Sequence, residues 1–128
     1  MSLAITTAHR AARNAATVAA ADAGAGNSSI KLYTAEGGTL LGTRTLAKPC
    51  GVVNGAGRIV LQLSVAQEMI AEGGTVTWAE WCDGDGTPIA TGTVTDETGA
   101  GPWVLEGTAG TQVYAGGVIG LSATALIG

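Results

Sequence analysis

Phenylalanine is absent from this chain of 128 residues, and three Trp with two Tyr supply all its aromatic rings. Large rings are therefore few, and a groove of stacked aromatics for sugar binding is poorly supplied. Histidine occurs once, as His9. Its neighbours at helical spacing are Ala12 and Arg13, so a Ser-His-Asp triad or a His-based metal site would have to be gathered from distant segments. The two cysteines, Cys50 and Cys82, show neither CxxC nor metal-ligand spacing. Two reduced, buried thiols in a protein folded in the cytosol is the default reading, with a Cys50–Cys82 disulfide as the alternative. No apolar run is long enough to cross a membrane as a helix, and the first residues lack the apolar stretch of a signal peptide.

Basic residues are missing from a whole half of the chain. All six (Arg10, Arg13, Lys31, Arg44, Lys48, Arg58) lie in residues 1–64, against only Asp22 and Glu36. Residues 65–128 hold eight acids and no base. With a net charge of −4, nucleic acid is an unfavourable partner, because phosphate binding needs a basic footprint. A solvated acidic face accounts for the split. So does a polar surface that orients the protein on a partner or on copies of itself.

What the chain does have is small residues. Ala, Gly and Thr fill 61 positions, and 23 residues are Ala. Such side chains bury little area at about 25 cal/mol per Å², which implies one thin domain that gains from burial against another subunit.

Residues 4–23 predict a helix. Ala is the strongest helix former, Thr6 or Thr7 can cap its start, and Gly24 stands where the helix should end. Its apolar face is nearly all Ala, with Leu3, Ile5 and Val18 as the large members, and a lone helix of this length is marginal. It must dock on its own sheet or on a neighbour. After a flexible link at 24–29, turn signals every eight to twelve residues read as an all-β pattern. Residues 29–34 and 39–46 form a first hairpin, 47–57 a Pro/Gly/Asn loop, and 58–63 a strand. Residues 64–72 read as a short connector or irregular strand extension. Residues 74–96 form the central hairpin, 103–106 a short strand, and 112–127 one or two final strands. The fold class is mainly β: a β-sandwich of jelly-roll type, residues 29–128, preceded by a helical arm and linker, residues 1–28.

The central hairpin turns at Asp83-Gly84-Asp85-Gly86, which shares its letters with the start of a calcium loop. Here the Gly comes two positions early and the twelfth position is Val94, so a hairpin turn explains the segment better. Glu80, Asp83, Asp85 and Glu106 could furnish a glycosidase pair in principle, but nothing places two of them at a fixed separation. Gly24-Ala-Gly26, Gly55-Ala-Gly57 and Gly99-Ala-Gly101 lack the phosphate-loop Lys-Ser/Thr and the strand-to-helix context of a nucleotide site. The expectation is a protein without catalytic residues, cofactor or metal. Trp78 and Trp81, three apart on one strand, must point to opposite faces: one into the core, the other outward as a candidate interface anchor.

The segments AITTAHRAARNAA, DAGAGNSSIKLYT, GGTVTWAEWCDGDGTPIATGTV and TAGTQVYAGGVIGLSATALI, taken together, resemble a family of small proteins encoded among the virion structural genes of tailed phages and prophages. Proteins similar in size coat capsids as decoration, or cement, proteins with β-sandwich folds. The loop with Pro49-Cys50 departs from that pattern. The resemblance implies a structural role: a homo-oligomeric protein made in the host cytoplasm, sited on the capsid exterior, with the major capsid protein as partner and dimeric or trimeric self-association. It implies no nucleic-acid or membrane partner. The candidate interface residues are Leu3, Ile5, His9, Arg10 and Arg13 on the arm, with Trp81 and Trp103. A tail or neck component and a carbohydrate-binding module are the alternatives.

Overall fold

The computed structural model describes residues 4–65, 68–96, 98–99, 103–105 and 110–119. Helix α1, Thr7–Ala21, begins where the sequence offers a cap: the Thr6 hydroxyl accepts a hydrogen bond from the His9 backbone N–H at 3.2 Å. It ends at Asp22, and the chain reverses through Gly24 at φ +99°. A side chain there would also collide with Asp85, the Cβ position lying 2.7 Å from its carboxyl carbon, so Gly24 is required by conformation and by space.

The strands are β1 Ser29–Tyr33, β2 Leu40–Val53, β3 Ile59–Leu63, β4 Gly74–Thr75, β5 Trp78–Cys82, β6 Pro88–Thr95, β7 Trp103–Val104 and β8 Gln112–Val113. Six of them form one sheet in the order β3-β2-β1-β5-β6-β7, and β4 pairs with β8 in a separate ribbon. All pairs are antiparallel except β6 with β7, which is parallel. The fold is mainly β, with one short helix and a curled mixed sheet.

Three expectations change. First, residues 47–57 are not a loop: β2 runs on to Val53. The ladder with β3 shifts between Leu46 and Gly51, with residues 47–50 of β2 facing the single residue Gln62 of β3. Pro49, preceded by a cis peptide bond, sits inside this bulge, where no ladder bond is asked of it. The turn is confined to residues 54–57, where the Asn54 side chain accepts from the Ala56 and Arg58 N–H groups at 3.0 Å each. Second, Gly74–Thr75 does not open the hairpin strand but pairs with Gln112–Val113. The hairpin proper is β5–β6, and the Asp83 carboxylate accepts from the N–H groups of Asp85 and Thr87 at its turn. Third, of the final segment only Gln112–Val113 and a bridge between Val118 and Met69 are strand-like among the described residues. Glu106 and residues 120–128 lie outside them.

Alternation does the rest. Ile30 and Leu32 of β1 with Ala79 and Trp81 of β5 point inward and are fully buried, joined by Leu41, Leu46, Ile59 and Leu61. Leu63, in the same alternation as Ile59 and Leu61, stays exposed at the strand's end. Among the described residues the inner face carries one charge, Arg44, which reaches Glu68 on the connector after β3 at 3.2 Å. The same carboxylate accepts from the backbone and hydroxyl of Thr45, so the connector is fastened along the inner face.

Candidate functional site

The helix has two faces, and they do different things. Asn14, Val18 and Ala21, spaced three and four apart, lie against the sheet. Asn14 Nδ2 donates to the Gly57 carbonyl at 2.6 Å, and Arg10 donates to the Ala56 carbonyl at 3.2 Å. At the other end Asp22 accepts from the Cys50 N–H at 2.9 Å, and Lys48 reaches the Gly24 carbonyl at 3.0 Å. So the long β2 and its turn, the segment read from sequence as a loop, form the platform that seats the helix. The opposite face exposes Ala8, Ala12, Ala15, Ala16 and Ala19, extended by Ile5 at 39% exposure. His9 and Arg13 flank this strip and are exposed.

The expected interface residues divide accordingly. Ile5, His9, Arg10 and Arg13 share the helix surface, Arg10 half-buried by its bond to the turn; Leu3 lies outside the described residues. Trp81 and Trp103 do not join them: they are 0% and 4% exposed in the core, so neither offers a surface for contact. Trp81 is the core member of the tryptophan pair. Its indole N–H donates to Ser28 Oγ at 2.7 Å, and the Ser28 hydroxyl donates to the Cys82 carbonyl at 2.7 Å. This chain satisfies the polar atoms that the burial of an indole and a hydroxyl brings inside.

Trp78 is the outward one, as its spacing from Trp81 requires. It pairs across the sheet with Tyr33 on one side and Thr93 on the other. Its Nε1 is sealed from solvent and has no hydrogen-bond partner among the described residues. One row along, Glu80 pairs with Lys31 and Thr91. Burial and then Glu80, by hydrogen bond and charge, hold the Tyr33 hydroxyl above its usual pKa. The outer sheet face thus carries a Tyr–Trp pair over a Lys–Glu pair, flanked by threonines.

Both thiols are free and buried. Burial, with Asp22 alongside, pushes Cys50 up to about 12. Burial also raises Cys82. Neither is a nucleophile at neutral pH, since the thiolate is the reactive form. Among the described residues no three His, Cys, Asp or Glu side chains converge on one point, and Asp83 uses its carboxylate to hold its own turn.

Sequence reading missed some of the exposed apolar side chains. Met69 at 69% and Tyr114 at 70% exposure stand near Val118, whose bridge to Met69 brings the segments together. Leu40, 41% exposed, marks the start of β2. Only Tyr114, an isolated ring among glycines, carried a signal of this in the sequence. No protein-family model, no curated protein and no solved structure matches this chain.

Proposed function

We propose that the protein is a structural component of a tailed-phage virion, a decoration protein that binds the major capsid protein on the outside of the assembled shell and associates with copies of itself. The resemblance of its segments to virion proteins motivates this. The observation that carries it is the helix, held to its own sheet along one face by named hydrogen bonds while a strip of Ala faces outward. Small residues allow close approach of a partner, and many shallow contacts repeated by symmetry bind through avidity. In this reading the β4–β8 ribbon is the start of a second layer over the six-stranded sheet, and the whole chain is a β-sandwich of jelly-roll type.

The test is co-sedimentation with shells assembled from the major capsid protein encoded nearby. The unmodified protein pellets with the shells. Ala15→Glu/Ala19→Glu, which puts two charges on the outward strip and leaves the docked face intact, loses binding by tenfold or more, on the order of the cost of burying unpaired charge. Undiminished binding by that variant refutes the helix as the contact, and failure of the unmodified protein to pellet refutes the capsid role. Immunogold labelling of particles tells head from tail or neck.

A carbohydrate-binding role is the second reading, favoured by the side-by-side Tyr33 and Trp78 on the outer sheet face. Sugar titrations followed by tryptophan fluorescence test it, and an unchanged spectrum removes it.

A further inference from the structure

We propose that two copies of this chain associate head to tail, the N-terminal half of α1 with the β2–β3 turn of one copy docking on the β1–β2 turn end of the next. The two surfaces sit at opposite ends of β2. At one end, the helix carries His9, Arg10 and Arg13, and the turn it rests on ends at Arg58. The helix residues Thr7, Arg10 and Ala11 pack directly over Gly57, next to Arg58 in the chain. Exposed Ile5, Ala8 and Ala12 supply the apolar part of this surface. Among the described residues no ion pair engages Arg13 or Arg58.

At the other end stand exposed Glu36 and Glu72. Glu36 lies in the turn closed by the Thr34 N–H donating to the Thr39 carbonyl at 3.0 Å, and the Glu72 N–H donates to the Leu41 carbonyl at 3.2 Å. Neither carboxylate has a partner among the described residues. Leu40, exposed between them in the fold, supplies the apolar part. Asp96, beyond the end of β6, adds to the acidic side while its carboxylate holds Thr98 and Gly110.

Three arguments select a second copy as the occupant. Each end has an apolar centre with charges of one sign, and the two signs are complementary. With the bulge at 47–50 set aside, β2 advances about ten ladder steps, which separates them by up to about 33 Å at about 3.3 Å per step. At a screening length of about 10 Å in 0.1 M salt the ends cannot neutralise each other within one chain. Like ends repel, which disfavours an end-on two-fold contact; an end-on contact between unlike ends is heterologous and builds rings or filaments. The helix half and turn offer few large side chains, whereas a stable pair buries roughly 800 Å² per partner, so the contact is weak alone and strengthened by repetition. None of this depends on the protein's being a capsid component.

Sedimentation velocity on the full chain, at its highest soluble concentration, tests the proposal. The unmodified protein shows a weight-average mass roughly doubled or more in about 0.1 M salt and falling toward the monomer in about 1 M salt, as screening tightens to about 3 Å. Arg13→Glu/Arg58→Glu and Glu36→Arg/Glu72→Arg each give monomers at both salt levels, with unchanged circular dichroism. The chain carrying all four substitutions, with both ends reversed, associates again. A mass independent of salt in the unmodified protein overturns the proposal, whatever the variants do. A four-fold variant that folds and stays monomeric also overturns it.

Discussion

Asn14 on the helix donates to the carbonyl of Gly57 at 2.6 Å, across 43 residues of chain, and both residues are buried. The bond joins the one helix to the turn that ends the longest strand, so it couples two parts of the molecule that sequence reading kept apart as arm and loop.

Asn14→Ala removes the donor and leaves a buried carbonyl with less satisfaction, at a cost of about 1–3 kcal/mol. Gly57→Ala destabilises too, because Gly57 has φ +77° and a side chain there would lie 2.8 Å from the Thr7 carbonyl oxygen. Urea unfolding measures both. A change under about 0.5 kcal/mol for both, the range of ordinary surface substitutions, would show that the helix does not depend on this seat.

Trp81 and Trp78 have opposite environments and should respond differently. Trp81→Phe loses the bond to Ser28 Oγ and leaves that hydroxyl with one partner fewer, costing about 1–3 kcal/mol. Trp78→Phe deletes an N–H that is sealed from solvent without a partner among the described residues, so relief of that donor offsets the lost ring area and the loss should be smaller than for Trp81→Phe. Equal losses in the two variants would contradict the assignment of core and outer rings.

Glu68 and Arg44 form an ion pair in which the arginine is only 2% exposed and the glutamate 20%. Glu68→Gln removes a carboxylate charge from beside the buried guanidinium. The full penalty for breaking a buried pair is about 3–5 kcal/mol, and partial exposure of the glutamate brings the expectation to about 2–3 kcal/mol. Arg44→Met combined with Glu68→Gln should recover much of that loss. A double-mutant cycle by chemical denaturation measures the coupling, and additive losses would mean the pair acts as two independent residues.

The Cys50 thiol, held up to about 12 by burial and by Asp22, ties stability to alkaline pH. The unfolded chain releases this proton near 9, the ordinary value, while the folded protein keeps it. Stability from this source is complete below pH 9 and declines as pH rises from 9 toward 12. Cys50→Ala should flatten that part of the stability profile, apart from contributions of other groups such as Cys82 and Tyr33, whose values are also raised. In the native protein at pH 8 both cysteines should resist a thiol reagent until denaturant is added. Rapid labelling of either one without denaturant would contradict their burial.

Much of the architecture is legible in local chemistry. The helix is announced by its alanines and its Thr6 cap, β1 by the alternation of Ile30 and Leu32 with Lys31 and Tyr33, and the β5–β6 turn by Asp83 and Gly86. The division of Trp78 from Trp81 follows from their spacing alone. Pro49 and Gly51 misled because a bulge can absorb both inside a strand, and a bulge is a property of the pairing, set by how β3 lies against β2.

The sequence by itself determined the local periods, the caps and turns, and the unequal placement of charge along the chain, because those depend on residues a few positions apart. Only the tertiary structure decided which tryptophan is core, that α1 rests on β2, that β7 runs parallel to β6, and that Arg10 meets the β2–β3 turn, at the other end of β2 from Glu36 and Glu72. Each of these depends on contacts between segments tens of residues apart, where burial and hydrogen-bond satisfaction across the whole fold select one arrangement that local preference leaves open.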